Sequence, residues 1–305
     1  MSMSGFLNIN KISGPTSHDI VAKVRKSFEQ KVKVGHLGTL DPMAEGVLPI
    51  AIGSATRTFP FFLELQKTYE VTMIFGKVTE TQDITGKLIE ENLVSGLELS
   101  ECQNFLDNFL GKILQTPPMF SAINFRGKRL YELARDGIEI DRKKRKIEIF
   151  NIKAKSISGP YLDFEVKCSR GTYVRTLCHD LGKLQGSGGC MVSLRRTGLG
   201  PFCIQKTLSL DDFAALSKSG SISEVLVTLC DALGHLPLMT FTDSEEDRLR
   251  KGIALDCLVE NINISEDDDF RMLNSSGKLI GIGRVLKGIS CSSEKVKIRP
   301  IKIFN

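Results

Sequence analysis

Asp41 is the residue whose surroundings most suggest chemistry. It stands in Gly35-His-Leu-Gly-Thr-Leu-Asp-Pro-Met-Ala-Glu-Gly46-Val-Leu-Pro, where three glycines and an Asp-Pro step argue against regular helix or strand over 35–48. A carboxylate on a rigid loop of this kind can attack an electrophilic carbon or take up a proton. By itself, Leu-Asp-Pro is also an ordinary turn in which the Asp side chain bonds nearby backbone. By pattern alone, Tyr69 and Leu194 read as core, Arg175 as a surface helix residue and His36 as a lone loop histidine.

The elements around these residues can be read from periodicity. Thr16-Ser-His-Asp19 resembles a capping box with Asp in the last place, followed by Ile20, Val21, Val24 and Phe28 at helical spacing. Tyr69, Val71, Met73 and Phe75 alternate with polar neighbours and predict a half-buried strand over Thr68 to Phe75. Ser100 is the expected cap of a helix carrying Phe105, Leu106, Phe109 and Leu110, closed by Gly111. After Pro117-Pro118 a short helix through Leu130, Tyr131 and Leu133 is expected to stop at Gly137, before a Lys/Arg run. Leu162, Phe164, Val166 and Cys168 alternate as a second strand. That strand feeds Ser169-Arg-Gly-Thr-Tyr-Val-Arg175 and a helix with Val174, Leu177, Leu181 and Leu184 inward, and Gly186 to Gly189 reads as a turn. Near residue 235 the texture changes. Thr242-Asp-Ser-Glu245 opens a short helix ending at Gly252, and strand-like pieces such as Leu279 to Ile282 and Val296 to Ile303 follow. The expectation is an α+β protein with a large domain over 1–235 and a small β-rich domain over 236–305.

Composition narrows the function classes. No apolar run approaches the roughly 20 residues that span a bilayer, and the opening MSMSGFLNINK lacks a secretory layout, so a soluble cytoplasmic protein is expected. Cysteines 102, 168, 178, 190, 203, 230, 257 and 291 include no Cys-x-x-Cys pair, and there are four histidines. They read as reduced packing residues rather than metal ligands. No phosphate loop is present, and Gly281-Ile-Gly283 lacks the third glycine of a dinucleotide fingerprint. The net charge of +5 is unevenly placed: +5 over 126–146, −7 over 243–270 and +7 over 271–305. Two basic blocks around an acidic one point to localised contacts with a polyanion.

The full Asp41 string resembles the signature loop of the TruB family of pseudouridine synthases. Four further stretches resemble that family in the same order. Lys11-Ile-Ser-Gly-Pro-Thr-Ser17 is similar to its N-terminal motif, with Ile12 where the family usually has Pro. Lys67-Thr-Tyr69 with Gly76-x-x-Thr79-x-Thr81-x-Asp83 is similar to its tyrosine strand. Pro117-Pro-Met-Phe-Ser-Ala122 through Gly127, Tyr131, Ala134 and Arg135 resembles an RNA-gripping insertion of about 117–150, with Asn124 where Lys is usual. Arg170-Gly-Thr-Tyr-Val-Arg175 and Leu194-Arg-Arg-Thr197 resemble the last two active-site motifs. The tail more loosely resembles the RNA-binding PUA module.

The resemblance implies a catalytic domain with a mixed, mainly antiparallel central sheet flanked by helices, and a PUA-like domain behind it. It implies isomerisation of one uridine in the T-arm of transfer RNA, at position 55 in tRNA numbering, by a monomer using no metal or cofactor. Asp41 would be the catalytic carboxylate, acting at ribose C1′ as a nucleophile or by elimination to a glycal. Arg175 would pair with it through a guanidinium fork. Tyr69 would pack on the flipped uracil, Tyr173 and Leu194 would line the same pocket, and His36 would enter the RNA loop that the base left. A non-catalytic tRNA folding chaperone, a related synthase on another RNA or in a guide-RNA particle, and a glycosidase remain as alternatives. The last usually needs two carboxylates at a set separation.

Overall fold

The computed structural model describes residues 3–258, 264–287 and 295–304, so Cys291 and parts of both C-terminal charge blocks lie outside the described residues. The larger sheet runs in the order Gly5–Lys11, Glu45–Ile52, Gly189–Leu199, Lys67–Phe75, Tyr161–Cys168, Arg145–Ser158 and Gly111–Gln115. Neighbours are antiparallel except where Gly189–Leu199 meets Glu45–Ile52, a parallel contact of two residue pairs. The sheet is therefore mixed and mainly antiparallel, as expected.

Helices Ser17–Lys26, Leu99–Asp107 and Val174–Gln185 cover one face of this sheet. Ile20, Val21 and Val24, then Cys102 and Leu106, then Val174, Leu177 and Leu181 share one core cluster with Leu7, Ile9, Leu48, Ile50, Val71, Phe164 and Val166. Glu45–Ile52 is buried on both faces, because Val47 and Ala51 point into a separate cluster with Phe6 and Phe62. This explains why Gly46 to Ile52 reads as an unbroken apolar run rather than an alternating one.

Several local expectations shift. The capping box at Thr16 forms with Asp19, but the second helix is capped by Glu98 and Glu101, not Ser100, and Gly111 opens an edge strand. Leu184 is 48% exposed, so the inward stripe of its helix ends at Leu181. Two long strands escaped the periodicity reading: Arg145–Ser158, which begins inside the Lys/Arg run, and Gly189–Leu199, which lies centrally in the sheet. The first is charged at its start because its outer residues face solvent while Ile147, Ile149 and Ile152 are buried.

Residues between the edge strand and Arg145 form an outgrowth with its own small core of Met119, Leu130 and Leu133, backed by Phe120, Ile123 and Ile140. Asn124 has a local task there, since its Oδ1 accepts from Gly127 N–H at 3.0 Å across a hairpin turn. The second sheet runs Leu238–Phe241, Asp269–Asn274, Leu279–Lys287, Lys295–Ile303 and Leu255–Leu258. It encloses Phe241, Leu249, Phe270, Met272 and Ile298. It also lends Ile282 and Phe304 to the cluster around Phe6, Phe62 and Phe202, so apolar burial joins the two sheets. Among the described residues no helix is long and apolar enough to cross a membrane.

Candidate active site

The segment 35–48 is irregular only in its middle. Val34–His36 and Glu45–Ile52 pair as antiparallel strands, leaving residues 37–44 as the loop that carries Asp41. At the second end the missing Cβ of Gly46 lets the strand approach the Arg196 backbone of its neighbour closely. Within the loop, Ala44 N–H donates to the Asp41 carbonyl at 3.0 Å and closes a turn over Pro42.

The loop backbone is held from outside by three side chains. The Ser17 hydroxyl donates to the Leu40 carbonyl at 3.0 Å and accepts from Leu40 N–H at 2.9 Å. Lys11, 0% exposed, donates Nζ to the carbonyls of Ile12, Pro42 and Ala44 at 3.1, 2.9 and 2.6 Å. Arg196, 1% exposed, donates Nε to the Val47 carbonyl at 2.7 Å and Nη2 to the Gly38 carbonyl at 3.1 Å. Two buried cations thus grip carbonyls on either side of Asp41. An unpartnered charge in such a place would cost several kcal/mol; here carbonyl dipoles and a nearby carboxylate offset that. Burial pushes the Lys11 ammonium down to about 8, while Asp41 and Glu45 oppose the shift.

Gly46 is the tightest point of this arrangement. Its φ is +96°, and a Cβ there would stand 2.2 Å from the carbonyl oxygen of Arg196. Gly46→Ala is expected to cost about 3 kcal/mol or more through backbone strain and overlap. In a thermal melt this should lower the Tm by about 6 °C or more; an unchanged melt would show that the strand pair gives way cheaply.

Opposite the loop, Arg175 sits in the first turn of Val174–Gln185. Its Nη2 lies 2.9 Å from Asp41 Oδ2, with side-chain exposures of 7% and 38%. The expected two-pronged grip is instead one short contact, because Nη1 leans toward the Thr81 carbonyl at 3.5 Å and Nε has no partner among the described residues. The helix start is clipped by buried Gln115, whose amide donates to the Tyr173 carbonyl at 3.0 Å and accepts from Tyr173 N–H at 2.8 Å. That clip turns Tyr173 and Arg175 toward the loop.

Tyr69 is buried, and burial pushes its phenol up to about 12 against the opposing charge and hydrogen bond of Arg196. Burial likewise raises the Tyr173 phenol. His36 is half-buried at the end of its strand, with its ring 6.2 Å from that of His18. Burial lowers its pKa, and His18 and Arg196 lower it further, so the imidazole is neutral at physiological pH.

All six residues singled out from the sequence, His36, Asp41, Tyr69, Tyr173, Arg175 and Leu194, line one cleft of about 970 Å³. Phe120, Ser121, Tyr131 and Arg135 from the outgrowth form its other wall. The cleft has an ionic end at Asp41 and Arg175 and flat apolar surface at Tyr69 and Leu194. That combination suits a planar ring attached to a sugar whose reacting carbon meets the carboxylate. The sequence reading left Lys11, Ser17, Gln115 and Arg196 without roles. None of the four carried a local signal: Lys11 follows Asn8 and Asn10, and Arg196 stands between Arg195 and Thr197, so both read as surface cations.

Two family models match. TruB family pseudouridylate synthase (N terminal domain) matches residues 25–174, and the tRNA pseudouridylate synthase B C-terminal domain matches residues 175–236. A tRNA pseudouridine synthase B from Syntrophomonas wolfei is 45% identical over 306 residues, covering 99% of both chains. One from Geobacter sulfurreducens is 40% identical over 308 residues, covering 99% of this chain and all of that one. Among solved structures, a Cbf5-Nop10-Gar1 complex matches with a TM-score of 0.78 at 26% identity, covering 99% of this chain and 85% of that one. With most of its length matched by the family models and its whole length by such relatives, the chain belongs to the TruB family of pseudouridine synthases.

Proposed function

We propose that this chain isomerises uridine to pseudouridine in the T-arm of transfer RNA, at position 55 in tRNA numbering, as a monomer needing no metal or organic cofactor. The observation that carries this reading is the Asp41–Arg175 pair at 2.9 Å, in a cleft whose apolar wall is Tyr69 and Leu194. Relatives named tRNA pseudouridine synthase B, similar over their full length, support the choice of RNA. The likeness to Cbf5, at 26% identity, is weaker than the 40–45% identity to those relatives, and that difference favours the stand-alone reading over a guide-RNA particle.

The reaction breaks the bond from ribose C1′ to uracil N1 and makes one from C1′ to C5, with the C5 proton passing to N1 in net balance. Ionised Asp41 serves either route, by attacking C1′ or by taking the 2′ proton to give a glycal. Arg175 gives the carboxylate a charge partner that stays in place as water leaves the cleft. The uridine reaches this carboxylate only when swung out of its stack, and Tyr69 offers the surface on which the freed ring lies. Neutral His36, its Nδ1 without a partner among the described residues, can enter the vacated RNA loop without carrying a buried charge.

The test is mapping of pseudouridine in unmodified tRNA transcript after incubation with purified chain and no cofactor. Conversion of one T-loop uridine is expected. Tight binding without conversion would favour a folding chaperone using the same cleft, and no binding would remove tRNA as the partner. The exposed bases of the outgrowth, Arg126, Lys128, Arg129 and Arg135 among them, would meet phosphates. Affinity should therefore fall at least about tenfold between 50 and 200 mM salt, from counterion release at three or more contacts. An affinity indifferent to salt in a filter-binding titration would count against that docking.

A further inference from the structure

Arg196 is among the largest side chains that the fold buries completely. Among the described residues it enters no ion pair. A buried guanidinium without a carboxylate is costly to a fold, so its place calls for a reason. That place is a junction. In the sheet Arg196 stands opposite Tyr69 on one side and Gly46 on the other. Its Nη2 holds the Gly38 carbonyl before the Asp41 turn and its Nε holds the Val47 carbonyl after it. Residues directly opposite in an antiparallel pair share a face, so the guanidinium stands beside the Tyr69 phenol, and its charge opposes the rise that burial imposes there. Lys11 braces the loop from the other side, but its three acceptors all belong to the N-terminal strand end and the loop.

We propose that Arg196 is a positioning residue of the isomerisation, tying both limbs of the Asp41 loop to the Tyr69 hydroxyl so that carboxylate and phenol keep one spacing across the flipped uridine. The inference rests on the function proposed above. Its chemistry is directional. A guanidinium beside a phenol oxygen can only donate to it, which leaves the phenol proton to point elsewhere. The fixed positive charge also favours negative charge building on that oxygen, and it does so without reorganising at the moment of reaction.

Single-turnover conversion of tRNA by the full chain tests this with Tyr69→Phe, Arg196→Met, Arg196→Lys and the Tyr69→Phe/Arg196→Met double variant. Arg196→Met is expected to slow the step about 100-fold while tRNA affinity stays within about threefold. Arg196→Lys should recover part of that loss, since an ammonium keeps the charge but cannot span both carbonyls and the hydroxyl. The double variant should be little slower than Tyr69→Phe alone, because the two residues act as one unit. A rate unchanged by Arg196→Met would overturn the proposal. So would losses that multiply in the double variant, since these would make Arg196 a loop brace independent of Tyr69. If Arg196→Met fails to fold by circular dichroism, the same cycle is read with Arg196→Lys. A wild-type chain that makes no pseudouridine would overturn the functional reading and this inference with it. An active wild type with multiplying losses would overturn this inference alone.

Discussion

An Asp41→Asn variant should convert no uridine while binding tRNA almost as tightly as the unaltered chain. The amide has nearly the carboxylate's shape but can neither attack C1′ nor take a proton. A loss of at least about 10⁴-fold in single-turnover rate is expected when such a group is removed from a reacting centre. The loop itself should persist, because its anchors are the side chains of Lys11, Ser17 and Arg196 acting on backbone carbonyls and one N–H. The variant does leave Arg175 without its anion. With the Asp41 side chain 38% exposed, water softens that loss, and a cost of about 1 kcal/mol is expected. Conversion within tenfold of the unaltered chain would remove Asp41 from the centre of the mechanism. Full loss of both conversion and binding would instead mean that the carboxylate organises the RNA site.

The second large effect is expected at Arg175. Its side chain is 7% exposed, and its Nη2 is the cationic partner of Asp41 at 2.9 Å. Arg175→Met keeps most of the packing volume and removes the charge, leaving the carboxylate facing a drying cleft without its cationic partner. The rate should fall about 10³-fold, mainly in kcat, since the interaction grows as the substrate excludes water. Arg175→Lys should do better than Met yet fall short of Arg, because the shorter cation lacks the guanidinium's planar fork. A kcat within tenfold of the unaltered chain in Arg175→Met, with only KM raised, would recast Arg175 as an RNA-binding residue.

How much of this was legible in the sequence depended on the range of the interactions involved. The helix at Ser17–Lys26 could be read because its cap, apolar stripe and flanking charges all lie within a few turns of one another. The strands at Lys67–Phe75 and Tyr161–Cys168 could be read because each has one face in the core and alternates accordingly. Gly189–Leu199 hid its strand character behind polar Ser193, Arg195 and Arg196. Arg145–Ser158 hid it behind the basic run in which it starts. In both, the partner strands supply what local propensity does not.

The sequence by itself determined which groups could do the chemistry. The string around Asp41, together with the stretches around Tyr69, Tyr173, Arg175 and Leu194, carries the family pattern in residue identity and order, and identity needs no folding to be read. Only the tertiary structure decided how those groups are held. Asp41 and Arg175 are 134 positions apart in the chain and meet because two sheet strands and the Gln115 clip bring their loops together. Lys11 and Arg196 look like surface cations in one dimension. In three they are buried braces, because burial and hydrogen-bond partners are properties of the packed sheet, and no window of neighbouring residues contains them.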